Sequence, residues 1–292
     1  MRLGFSLPQY GPHTTQFAKL PQYARDLEQL GAASLWVSDR VLAPVTPTVN
    51  YPGTDHIPTE FHAILDPLAL MSAIGAVTTR AEIGVNVLVA PWYPPILLAR
   101  MLTTIDIITA GRLVPGFGLG WSPEEYVATG VPMTQRGRRL NECLDILDRY
   151  WTQNPVEYTG EYWTIPATHV ALKPVRKPPV HLAAMSPAAF DRVARRADGW
   201  LPVAIPGHPL DHVNQGLEAL QAAAEKADRD PATINVILRL NVLPDTTTDN
   251  IVTAVDHADK LGITHVLVAG TRATASPEEG IELAQRVLDH HR

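Results

Sequence analysis

The stretch from Ile83 to Trp121 restricts the fold more than any other part of the chain. It reads as a buried strand, Ile83 to Val89, a proline-rich turn and an apolar helix from about Pro95 to Ile108 stopped by Gly111. A second strand, Arg112 to Phe117, then runs into glycines. Strand, helix and strand joined this way form one βαβ unit. Both strands finish in unusual backbone on what becomes the same side of a parallel sheet, the side that carries functional loops. Gly116, Gly118 and Gly120 remove Cβ at alternate positions. Two readings follow: a flat ligand approaches the main chain there, or the glycines relieve crowding inside a barrel. The spacing is not the Gly-x-Gly-x-x-Gly dinucleotide fingerprint, and no acidic residue at the required distance closes a second strand.

The same alternation runs through the whole chain. Strands are predicted at Arg2 to Leu7, Ser34 to Asp39, Ile83 to Val89, Arg112 to Phe117, Val180 to Ala184, Gly199 to Val203, Ile234 to Leu240 and His265 to Val268. Each is followed by a helical pattern, such as Leu20, Ala24, Leu27 and Leu30 before Gly31, or Ile251, Ala254, Val255, Ala258 and Leu261 before Gly262. Asp66-Pro67, Ser186-Pro187 and the two Ser-Pro-Glu-Glu sequences at Ser122 and Ser276 read as helix starts. Eight strand and helix pairs are the count of a (β/α)8 TIM barrel, an α/β fold. At 292 residues the chain, 1–292, fits one such domain with insertions.

Two segments exceed a plain barrel. Arg40 to His62, after the second strand, is a long loop holding Pro44, Pro47, Pro52, Gly53 and Pro58; such loops are usually lids. After the fourth strand, residues 122–179 form an insertion around one barrel helix, with a small hairpin near Gly160. A hydrophobic fraction of 46% supplies a core, and a net charge of −6 argues against nucleic acid or a membrane surface as partner. The single cysteine, Cys143, falls in a helical pattern and reads as a buried thiol. Without a signal peptide or a bilayer-length apolar run, a cytoplasmic protein is expected. His208 and His212 are four apart but lack the His-Glu-x-x-His pattern, so no metal is predicted.

Taken in order, Leu3-Gly-Phe-Ser-Leu-Pro8, Trp36-Val-Ser-Asp39, Asp66-Pro67, Gly84-Val-Asn-Val-Leu88 and Gly111-Arg-Leu113 with its glycines resemble the luciferase-like monooxygenase superfamily. Arg136-Gly137, Pro155 to Gly160 and Ala197-Asp-Gly-Trp200 continue the match. Leu182-Ala-Ala-Met-Ser-Pro187 is similar to the turn with which the branch using the deazaflavin coenzyme F420 holds the cofactor phosphate. Gly84-Val-Asn86-Val87 lies where that branch carries a bulge with a non-proline cis peptide behind the ring.

The resemblance implies hydride transfer between C5 of the deazaflavin and a small organic molecule, with the protein positioning and desolvating both. It places Asp39 at the ring edge, Asn86, Val87 and Leu88 behind the ring, and Gly118, Leu119 and Gly120 beside it. Ala184, Met185 and Ser186 offer N–H groups to phosphate. Where glucose-6-phosphate dehydrogenases of the family have His and Glu, this chain has Arg40 and Trp121, so those acid/base roles do not carry over. Arg40 reads as an anion binder and Trp121 as a flat apolar wall. The candidate proton donors are His13, His56 and His62 on mouth loops. Arg136, Arg138, Arg139, Lys173, Arg176 and Lys177 either attract the anionic cofactor tail or form a solvated face. Three functions fit: an F420-dependent oxidoreductase, a flavin mononucleotide (FMN) monooxygenase, or a barrel that binds without catalysis. A homodimer is expected by the same resemblance.

Overall fold

Successive strand residues point to opposite faces, so every strand of a closed barrel sends one set of side chains inward and the other toward the helices. The structure is a computed structural model that describes residues 1–52 and 54–291; Gly53 of the long loop lies outside them. The chain runs β1 (Arg2–Ser6), α1 (Leu20–Leu30), β2 (Ser34–Val37), α2 (Pro67–Gly75), β3 (Glu82–Val89), α3 (Pro95–Ile108) and β4 (Leu113–Gly118). The insertion follows, with α4 (Pro123–Ala128), α5 (Arg136–Thr152) and the antiparallel hairpin of β5 (Val156–Thr159) and β6 (Thr164–Thr168). Then come β7 (His181–Leu182), α6 (Pro187–Arg196), β8 (Gly199–Trp200), β9 (Val203–Ala204), α7 (Asp211–Lys226), β10 (Asn235–Asn241), α8 (Thr248–Lys260), β11 (His265–Ala269) and α9 (Pro277–His290).

The strands pair in parallel in the order β11, β1, β2, β3, β4, β7, β8, β10, and β10 returns to β11, closing the sheet. β8 and β9 are two halves of one strand, both paired with β10 and separated by Leu201 and Pro202. The result is the expected (β/α)8 barrel, with the insertion after β4 and the long loop after β2. Helix starts follow the sequence signals in part. Asp66 accepts from the Ala69 amide at 2.8 Å and Ser276 from that of Glu279 at 3.2 Å. Ser122 does not cap α4: its hydroxyl bonds Glu124, while Glu125 is used by the amides of Val41 and Leu42 in the loop. Thr247 and Asn250 form a reciprocal capping box on α8 that the sequence reading missed. Cys143 is buried on α5, and burial pushes its thiol up to about 12.

Inside the barrel the inward residues stack in layers. The middle layer is apolar: Trp36, Val114, Leu201, Ile237 and Leu267. Two residues earlier on their strands come Ser34 and His265, with Trp36 Nε1 donating to Ser34 Oγ at 2.7 Å and that hydroxyl 2.8 Å from His265 Nε2. Burial, reinforced by Arg2, drives the His265 imidazole down to about 3, so it stays neutral. Two residues later come Ser38 and Arg239, which begin the polar floor of the mouth. Trp36 fits only because its register neighbour on β3 is Gly84, where a Cβ would lie 2.4 Å from the indole ring. Gly84→Ala is therefore expected to destabilise the fold by about 1–3 kcal/mol, an overpacking cost. A lowered urea midpoint would register this. Gly137→Ala, which meets only Arg192 at 3.5 Å, should leave the midpoint unchanged or raise it.

Candidate functional site

The C-terminal ends of the strands surround a cavity of about 500 Å³, within the range of small-molecule sites. Its floor is made by polar residues one layer above the apolar core. Arg239, on β10, donates from Nη1 to Ser38 Oγ at 2.9 Å and to the Asn86 carbonyl at 2.6 Å, and from Nε to Asn241 Oδ1 at 2.7 Å. Next to it β3 is irregular: its pairing with β4 slips between Val85 and Leu88, and the Asn86–Val87 peptide is cis. Val87 and Asn86 line the cavity through this bulge, and the Asn86 Nδ2 is buried without a partner among the described residues.

Asp39 stands on the wall where β2 ends. Its Oδ2 accepts from the Val89 amide and from the Tyr93 hydroxyl, both at 3.0 Å. No cation is among these partners, and burial raises the carboxyl to about 6 despite both hydrogen bonds. Above the wall lies the long loop, closed over the mouth by an aromatic cluster. Tyr51 meets Phe61 and Trp121 edge to face at 5.1 and 5.7 Å, and Tyr51 and Pro52 border the cavity. The far wall is Ala183, Met185, Val203, Ile205, His208 and His212.

The sequence-derived residues divide accordingly. Asp39, Arg40, Asn86, Val87, Gly120, Trp121 and Met185 border the cavity. Leu88 does not: it is fully buried among the core residues packed around the barrel, as the slipped register dictates. Gly118 is filled by the protein itself, since a Cβ there would lie 2.4 Å from Val87 Cγ2; Gly116 would strike the Val85 carbonyl at 2.2 Å. Crowding within the barrel thus accounts for both glycines, whereas Gly120, with φ +64°, borders the mouth. Leu119 packs on the core and its carbonyl accepts from Tyr126. Ala184 is buried and accepts from Trp200 Nε1 at 3.2 Å; Ser186 is exposed at the start of α6 and makes no side-chain cap bond.

The three histidine candidates fall elsewhere. His13 is buried on the α1 side of the chain, with Nε2 3.2 and 2.9 Å from the Thr271 and Thr274 carbonyls, and holds two loops together. His56 and His62 border a separate hollow beneath the loop. The cavity instead receives His208 and His212; His212 Nε2 donates to the Val203 carbonyl at 2.8 Å. Their position after the sixth strand was the available signal, because every loop after a strand reaches the mouth. Arg239 was missed as well, although Ile237, Arg239 and Asn241 alternate inward on one strand. Of the six cations near the insertion none borders the cavity: Arg138 pairs with Glu161, Lys177 with Asp148, and Arg139 lies over the rings of Tyr162 and Trp163.

Asp39 makes the site sensitive to pH. Its carboxyl ordinarily titrates at 3.8 and in the folded protein at about 6, so between these values the folded state keeps a proton the unfolded chain has lost. Stability therefore falls as pH rises through that window, and the full loss is present above about 6. Asp39→Asn should be more stable than the wild type at pH 7, by up to about 3 kcal/mol, and the gap should close below pH 4. Urea unfolding at a series of pH values checks this.

The chain is 31% identical over 231 residues to the Mycobacterium tuberculosis protein Rv0940c, covering 78% of this chain and 79% of that one. It is 28% identical over 241 residues to an F420-dependent glucose-6-phosphate dehydrogenase of Amycolatopsis mediterranei, covering 78% of this chain and 67% of the relative. The fold matches that of the monooxygenase RslO1 from Streptomyces bottropensis with a TM-score of 0.81 at 18% identity, covering 99% and 98% of the two chains. The sequence model of the luciferase-like monooxygenases matches residues 1–287, and the protein belongs to that family.

Proposed function

We propose that the protein is an F420-dependent oxidoreductase that transfers a hydride between C5 of the deazaflavin and a small organic substrate. The observation that carries this reading is the Asn86–Val87 wall. It stands where the resemblance puts the back of the ring, it lines the cavity, and among the described residues the Asn86 amide nitrogen has no hydrogen-bond partner. A buried donor without an acceptor is uncommon in a folded protein and sets this wall apart. A relative that matches 78% of this chain, and 67% of its own length, is named for F420.

On this reading Asn86, Val87 and Arg239 would hold the ring side and Gly120 its edge. Met185 and Ser186 would face the phosphate, where α6 opens with Pro187, which has no N–H, and Ser186 leaves its hydroxyl uncommitted. When bound, the deazaflavin supplies the carbon that gives or takes the hydride. The chain's own part is to exclude water with the Tyr51 and Trp121 cluster and to exchange protons. Asp39, titrating at about 6, and the rim residues His208 and His212 are the groups on the wall that can do so. An FMN monooxygenase is the second reading, favoured by the fold shared with RslO1. A homodimer belongs to the proposal and would be read by sedimentation.

Titration followed by cofactor fluorescence tests the choice: F420 should bind at least tenfold tighter than FMN. Preference for FMN, with oxygen consumption, would move the protein to the second reading. Ser186→Asp, which suits a helix start but repels phosphate, should weaken F420 binding tenfold or more at an unchanged melting temperature.

A further inference from the structure

Arg40 stands where the chain leaves β2 for the lid, and its side chain is only 6% exposed. Its Nη2 lies 3.3 Å from Glu125 Oε2 and donates to the Leu42 carbonyl at 3.2 Å; Glu125 itself is 2% exposed. Phe61 and Trp121 cover the guanidinium, their ring centroids 4.7 and 4.6 Å from Cζ. The other Glu125 oxygen accepts from the Val41 amide at 2.8 Å. The sequence leaves Arg40 free to bind an anionic ligand, but in the fold its anion is Glu125; its Nε and Nη1, covered by the two rings, have no acceptor among the described residues and leave room for a neutral carbonyl. An incoming carboxylate or phosphate would have to displace a buried partner and would meet the acidic side chains of both Glu125 and Asp39.

Among the described residues, the rest of the substrate side carries no competing arginine or lysine. Tyr51, Trp92, Trp121, Val203 and Ile205 are aromatic or aliphatic, and His208 and His212 are the titratable groups of that rim. Arg239 lies on the floor beside the Asn86–Val87 bulge and, on the reading proposed above, belongs to the cofactor. We infer that the substrate of this site is an uncharged, flat, mostly apolar molecule packed against Trp121 and Tyr51, and that Glu125 sets this preference by engaging Arg40. The inference rests on the F420 reading for the assignment of Arg239 alone.

Calorimetric titration with 9-fluorenone and 9-fluorenone-2-carboxylate, one ring system with and without charge, tests it. The wild type should bind the neutral ketone at least tenfold tighter than the carboxylate. Glu125→Gln keeps an acceptor for the Val41 amide and releases Arg40; it should tighten carboxylate binding until the ratio is threefold or less. Trp121→Ala should weaken the ketone tenfold or more, and stands as the test if Glu125→Gln does not fold. Equal affinities, binding of neither probe, or a ratio unmoved in a folded Glu125→Gln overturns the inference. So does carboxylate binding that Arg239→Met abolishes, or displacement of the ketone by F420. A protein that ignores F420 but keeps the tenfold ratio loses the proposed function and keeps this one; one that binds F420 and prefers the carboxylate does the reverse.

Discussion

Arg239 is the joint on which the mouth of the barrel depends. A guanidinium above an apolar layer is costly unless its donors are used, and three of its bonds run to β10, the end of β2 and the bulge of β3. Two of those partners lie across the ring from it, since the neighbouring strands β2 and β3 are not paired with β10. The contact therefore spans the barrel and fixes the floor of the cavity as a rigid surface. The bulge of β3 has its carbonyl held from both sides, by Ser38 and by Arg239, so its shape is set before any ligand arrives.

Two carboxylates above that floor have opposite surroundings. Glu125 faces a guanidinium and two loop amides, so its role is to hold the lid to α4. Asp39 has one amide and one hydroxyl and no cation, which leaves its proton weakly held near neutrality. Burial raises both carboxyls, Glu125 despite its guanidinium and Asp39 despite its two hydrogen bonds, so what distinguishes them is the partner: one is tied to the lid, the other to the wall of the cavity.

The fold was legible because its signals are periodic. Strand and helix alternate eight times, and Gly31, Asp66 and Ser276 act at the helix ends where their chemistry puts them. The bulge at Asn86 was legible through resemblance. What failed to read through were pairings between distant segments. Nothing local to Ser122 tells that Glu125 serves Val41 rather than its own helix, and nothing local to Arg40 tells that its anion is 85 positions away. His13 looked chemical because loops at the mouth often are, yet two carbonyls from the last loop hold it. Arg239 could have been found by carrying the inward alternation of β10 through to Asn241.

Gly118 and Val87 fit as a plug and its socket: the isopropyl group of one occupies the volume that the other lacks. Descent with modification at this wall is then constrained in order. A side chain at position 118 becomes tolerable only after position 87 has shrunk, and once both have changed the cavity has a different back wall. Sequences of this barrel that differ at one of the two positions should differ at the other, and the pair serves as a marker for the shape of the cavity's back wall.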